Sequence, residues 1–160
     1  ASIRKMLLEK GQYDVETIEV VTDATKRRMA LQNNKLDVGV HSKDDKNTIK
    51  QKVHALHAQN KLDETVLADH LAIQDNEFII VALSFIVNAK IENTRKVFKY
   101  KKPKLVCALC WKAGLSMRFA LRLQQEMAHI PSKELIYAKD GSDYPMTPEE
   151  MEWQLEFIGV

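Results

Sequence analysis

Four side chains in this sequence have the types and spacing of a metal site. His54 and His57 are three apart, and so are Cys107 and Cys110. Two thiolates and two neutral imidazoles converging tetrahedrally would hold zinc, and residues three apart on a helix lie on one side of it. The surroundings argue for packing instead. Cys107 lies in Leu105-Val106-Cys107-Ala108-Leu109-Cys110-Trp111, an apolar run in which a free thiol packs as a small hydrophobe. The long separation between the two pairs matches no standard finger. A redox role fits less well still, because the cysteines sit inside a helix and away from the first turn, where the dipole would lower a thiol pKa. The sequence assigns no cofactor. His54, His57, Cys107 and Cys110 stay as the metal candidates, and a metal-dependent enzyme or metal-stabilised domain stays as an alternative.

The second constellation is electrostatic. Lys90, Arg95, Lys96, Lys99, Lys101, Lys102 and Lys104 fall within fifteen residues with only Glu92 against them, and Phe98 and Tyr100 are interleaved. Clustered cations neutralise phosphates and release counterions, while aromatic rings stack on bases. Arg95, Lys96, Lys99, Lys101, Lys102 and Lys104 are therefore the candidates for binding a partner or an anion, nucleic acid or lipid headgroup included. Solvation of a lysine face is the plainer account. From Asp140 to Glu156 the sign reverses, with Asp140, Asp143, Glu149, Glu150, Glu152 and Glu156 and no Lys or Arg. Several of these acids belong to a first helical turn, where the dipole favours them. Two patches of opposite sign also suit docking of protomers or of a charged protein partner.

Nothing else in the chain carries recognisable chemistry. His41, His70 and His129 are scattered, and no G-x-S-x-G, P-loop, dinucleotide-binding or H-E-x-x-H pattern occurs. Catalysis has no motif to motivate it.

The elements that would position these residues are helices. Asp14, Ser42 (with Asp45 three residues on), Asp63, Asp75, Ser116 and Thr147 stand where N-caps belong, and Pro103 and Pro148 where first helical residues belong. A short opening helix carries Leu7 and Leu8 and closes at Gly11. The next carries Ile18, Val21, Ala24, Met29 and Leu31 and is expected to stop at Gln32-Asn33-Asn34-Lys35, with Leu36 to His41 as a loop. Ile49, Val53 and Leu56 face inward on a helix whose Lys46, Lys50 and Lys52 face outward, with Asn60 as its stop. The most apolar helix, Glu77 to Val87, belongs at the centre of the core. Gly114 followed by Leu115 has the form of a left-handed glycine cap, and Ser116 opens a helix from Met117 to His129. In the tail, Glu150 is expected to complete a capping box with Thr147. Trp153, Met151, Leu155, Phe157 and Ile158 cover too much of that helix for a single stripe, and packing as a closing helix is the expectation.

Residues Leu62 to Leu121 resemble the alphaproteobacterial family catalogued as domain of unknown function 2336. The resemblance rests on Leu62, Leu67 and Leu71, on Asp75 before Phe78 with Ala82-Leu83 following, and on Lys112-Ala113-Gly114-Leu115 at a hairpin turn. Asp69, Ile79 and Ser116 depart from that pattern, standing where a basic residue, an aromatic and a proline are frequent. The resemblance implies an all-α, repeat-like domain from the C-terminal part of longer bacterial proteins. It brings no activity, so no catalytic residues carry over.

Composition bounds the rest. A chain of 160 residues, 45% hydrophobic with 5 Gly, buries a core without staples and is not disordered. Its net charge of +2 is far below that of a protein that coats DNA. The longest apolar stretch, Phe78 to Val87, is about half of a bilayer crossing. Two cysteines make no secreted framework, which points to a reducing cytoplasm. The charged start is not a signal-peptide core, and without an initiating Met the chain reads as processed or as part of a longer one. The expectation is one all-α domain over 1–160, built of stacked antiparallel helical hairpins in a HEAT-like α-solenoid or an irregular multi-helix bundle. Its expected role is a cytoplasmic protein-interaction module with a regulatory character, bound to a protein partner or to itself. Nucleic-acid binding through residues 90–104 is the alternative.

Overall fold

Capping residues and left-handed stops set most of the helix boundaries. A computed structural model describes residues 15–37 and 43–160, and among them it places eight α-helices and no strand. The chain divides into two compact units, Ala1–His41 and Ser42–Val160.

The first unit contributes α1, Val15–Asp37, a helix of 23 residues. It runs straight through Gln32-Asn33-Asn34-Lys35, where the sequence predicts a break. No Gly or Pro interrupts that stretch, and two Asn cost only a few tenths of a kcal/mol each against good helix formers. Val20, Val21 and Met29 are exposed on α1. The expected helix at Leu7 and Leu8, its stop at Gly11, the Asp14 cap, the remainder of the 36–41 loop and the Ser42 box lie outside the described residues.

The second unit holds α2 (Lys43–Ala58), α3 (Glu64–Ala72), α4 (Asn76–Ile86), α5 (Ile91–Lys99), α6 (Pro103–Lys112), α7 (Met117–Arg122) and α8 (Pro148–Glu156). Three expected caps form. Asp63 Oδ1 accepts the Val66 N–H at 3.0 Å, Ser116 Oγ accepts that of Phe119 at 3.2 Å, and Thr147 Oγ1 accepts that of Glu150 at 3.2 Å. Glu150 itself does not reach back to complete a box; its carboxylate accepts from Lys104 instead. Asp75, at the N-cap of α4, turns to the His70 imidazole, 3.0 Å away. That ring lies flat on Phe78 at 3.5 Å between centroids.

The helix ends repeat one device. Asn60, Gln74, Asn88, Lys101, Gly114 and His129 all have positive φ, so a left-handed residue recurs every 13 to 15 positions. After Asn60, Gln74, Asn88 and Gly114 the next N–H closes back five residues, as in Lys61 to Leu56 at 2.8 Å and Leu115 to Cys110 at 3.0 Å. At His129 the closure is one residue wider, from the Ile130 N–H to the Gln124 carbonyl. There the expected helix from Met117 to His129 changes character: α7 gives way to a π-helical turn, Leu123–Met127.

The core follows from this layout. Phe78 to Ser84 on α4 and Leu105 to Cys110 on α6 are buried on every side. Ser84 interrupts the apolar run without disturbing it, because its hydroxyl donates to the Ile80 carbonyl. The main packing partners are neighbours in the chain or next but one: α4 rests on α2, α3 and α5, and α6 on α5, α7 and α8. No described helix is long and apolar enough to cross a membrane.

Candidate interaction face

The four metal candidates occupy different environments. His54 and His57 are exposed on α2, with their rings edge-on to Phe85 of α4 at 5.6 and 4.9 Å. They line a groove of about 600 Å³ together with Lys50, Val81, Ser84 and Asn88. Cys107 and Cys110 are fully buried in α6, and the Gln124 amide donates to the Cys107 sulfur at 3.3 Å. Among the described residues, no three His, Cys, Asp or Glu side chains gather where a metal ion would fit. Burial pushes the Cys107 thiol up to about 12. It pushes Cys110 up as well, with smaller contributions from Cys107 and Glu64. Both stay protonated near neutral pH, so neither has the thiolate character that nucleophilic or redox chemistry needs.

The basic segment is not one free patch. Arg95 makes a two-pronged contact with Glu77 of α4, at 2.8 and 2.6 Å, and that hydrogen bonding raises its pKa further. Lys104 donates to Glu150 of α8 at 3.2 Å. The Lys102 ammonium stands 5.7 Å from the centroid of the Phe157 ring, within cation–π range. Lys96, Lys99 and Lys101 remain exposed, with no ion pair among the described residues. The first two belong to the last turn of α5, where they complement the helix dipole. Thus the positive and negative segments of the sequence meet inside one molecule, at the seam between α6 and α8.

That seam carries the most unusual surface of the unit. On α8, Met151 and Leu155, with Ile158 just beyond its end, are buried, and they follow the i, i+4, i+7 pattern of a core stripe. Trp153 and Phe157 point the other way and are 62% and 71% exposed. The sequence predicts Trp153 as core, and the structure reverses this. Helical geometry allows one stripe per packed side, and Met151, Leu155 and Ile158 occupy it. With Glu149, the two aromatics form a second stripe at i, i+4, i+8, an interval visible in the sequence. Lys102, Pro103, Lys104, Glu134, Ile136 and Gln154 join them around a groove of about 520 Å³.

The groove is held from beneath. Gln124 is fully buried in the π-helical turn and brackets Ile136, accepting its N–H at 2.9 Å and donating to its carbonyl at 3.1 Å. A buried amide with both ends used fixes an otherwise irregular segment. The Tyr144 hydroxyl donates to the Leu115 carbonyl at 2.7 Å, tying the same segment to the α6–α7 turn, and burial raises its pKa. At the opposite end of α8, Asn93 of α5 donates to the Gly159 carbonyl at 3.0 Å. The backbone under Trp153 and Phe157 is therefore anchored at both ends and along its inner side.

No protein-family model, curated protein or solved structure matches the chain.

Proposed function

We propose that the second unit is a helical-repeat-like protein-interaction module, its helices stacked as hairpins in a HEAT-like manner, and that the α8 face is where it engages protein. The observation that carries this is the exposure of Trp153 and Phe157 on an anchored helix. Exposed aromatic clusters beside a groove are uncommon on surfaces that meet only water, and Trp is a frequent anchor of protein interfaces. Packing of each helix on its neighbours and next-but-one neighbours in the chain, with the recurring left-handed stops, supports the repeat-like part of the reading. The resemblance of residues 62–121 to the domain of unknown function 2336 family agrees with it. Protein is favoured over nucleic acid because Glu149, Glu152 and Glu156 surround the aromatics and would repel phosphates, while Arg95 and Lys104 already have carboxylate partners.

The test is a photoreactive side chain placed at 153 or 157, and as a control at Gln59 on the α2–α3 turn, in cells that make the protein. Protein adducts at 153 and 157 but not at 59 are expected. Nucleic-acid adducts, or equal labelling at all three positions, would overturn the proposal.

A further inference from the structure

Around its axis α8 divides into four strips. Met151 and Leu155 face the core, Gln154 faces the groove that it lines with Lys102 and Lys104, and Trp153 and Phe157 form the exposed ridge. On the far side of that ridge Glu149, Glu152 and Glu156 share an arc about 60° wide and about 10 Å long. All three are exposed, with no ion pair among the described residues. The nearest cations lie on the groove side, where Lys104 pairs with Glu150 and Lys102 stands 5.7 Å from the Phe157 ring. Helix stability does not account for the acidic arc. The dipole favours Glu149 in the first turn but disfavours Glu156, the last residue of a helix whose final turn holds no basic side chain. Glu149 and Glu152 are three apart and Glu152 and Glu156 four apart, intervals at which like charges repel. Carboxylates that work against their own helix, beside exposed aromatics, fit a partner that supplies positive charge.

We infer that the occupant of this face is a basic, amphipathic segment of another protein. Its apolar side chains cover Trp153 and Phe157, and its Lys or Arg side chains pair with Glu149, Glu152 and Glu156. This rests on the protein-interaction reading above and names the chemistry of the partner. Trp153 suits an arginine in particular, because a guanidinium stacks flat on an indole and no cation among the described residues occupies that ring. Phe157 already has Lys102 beside it, so it takes aliphatic side chains. The ion pairs lie at the rim, where they speed association and fix the segment's direction, while the covered aromatics hold it in place. An acidic segment would meet three uncompensated carboxylates, and a basic one without apolar side chains would leave both rings in water.

A photoreactive phenylalanine analogue at position 157 of the full chain, in cells that make it, tests this with Trp153 and the acids in place. Mass spectrometry should map the protein adducts to segments rich in Lys and Arg. Glu152→Lys with Glu156→Lys should cut their yield at least about tenfold, and Glu152→Gln with Glu156→Gln should cut it by less. Circular dichroism and Tm should hold in both variants, since the two side chains are exposed and unpaired among the described residues. A synthetic peptide copying the cross-linked segment should bind the purified chain, less tightly as salt rises. Adducts on acidic or neutral segments, or on a second copy of the chain, overturn the inference and leave the protein-interaction reading standing. So do adducts that charge reversal leaves undiminished, and peptide binding that ignores salt. Absence of protein adducts at 157 would sink both.

Discussion

Replacing Gln124 by Leu tests the support of the α8 groove directly. Leu has a similar volume, so the change removes hydrogen bonds without opening a large cavity. The Gln124 amide bonds both the N–H and the carbonyl of Ile136, at 2.9 and 3.1 Å, from a fully buried position. Each buried backbone group left without a partner costs about 1–3 kcal/mol. Ile136 is half-buried, so water recovers part of the loss, and the expected destabilisation is roughly 2–4 kcal/mol. For a unit of this size 1 kcal/mol moves the melting temperature by about 3–5 °C, so Tm should fall by roughly 6–20 °C. Thermal and urea unfolding read the magnitude, and hydrogen exchange locates it: the Ile136 amide should lose protection while amides of α4 keep theirs. A Tm within about 2 °C of wild type, with Ile136 still protected, refutes the assignment of Gln124 as the anchor of this segment.

Other perturbations bear on separate elements. His129 sits at φ 52° without a glycine's freedom, so His129→Gly should stabilise by about 0.5–1 kcal/mol in urea unfolding, the relieved strain exceeding the added chain entropy; a loss of stability would contradict the left-handed assignment. Leu67 is fully buried, and Leu67→Ala should cost about 2–5 kcal/mol in the same assay; a cost near zero would place it outside the core. Burial holds the Cys107 proton up to about 12, against an ordinary 9.0. Above pH 9 the unfolded chain therefore releases a proton that the native state keeps, and stability should fall between pH 9 and 12. Cys107→Ala should flatten part of that slope, and an unchanged slope would show that the thiol does not contribute. Both cysteines should also resist alkylation at pH 8 in the native protein and react once it is unfolded.

What the sequence made legible is what depends on a few adjacent residues. Asp63, Ser116 and Thr147 cap as expected because a short polar side chain reaches an N–H three residues on, whatever the rest of the chain does. The Pro103 start and the Gly114 stop are local in the same way. The recurrence of left-handed stops was hidden because Gln74 and Lys101 are not of types that favour positive φ and His129 is so only weakly beside Asn60, Asn88 and Gly114. Gln74, Lys101 and His129 are held there by the packing of the helices they join. The same limit governs charge. The partner of Arg95 is 18 residues away and that of Lys104 is 46 away, so the sequence displayed two opposed blocks where the fold pairs Arg95 with Glu77, outside both, and joins the blocks through Lys104 and Glu150. The π-helical turn and the Gln124 bracket depend on a segment returning over α6, which no local pattern encodes.

The outward turn of Trp153 has a physical consequence. Its helix is committed to the core through Met151 and Leu155, with Ile158 just beyond, so the ring cannot fold inward without pulling that stripe out. The Asn93–Gly159 hydrogen bond and the Lys104–Glu150 pair hold the two ends, though the exposed ion pair contributes at most about 1 kcal/mol and orients more than it stabilises. A rigid aromatic on a fixed helix loses little freedom when covered, so more of the apolar burial is expressed as affinity than it would be on a mobile loop. Pairing Arg95 with Glu77 and Lys104 with Glu150 leaves the other lysines of the basic segment exposed and without an ion pair among the described residues. The near-neutral net charge of the chain thus coexists with a face on which Glu149, Glu152 and Glu156 share one flank of α8 beside the exposed Trp153 and Phe157.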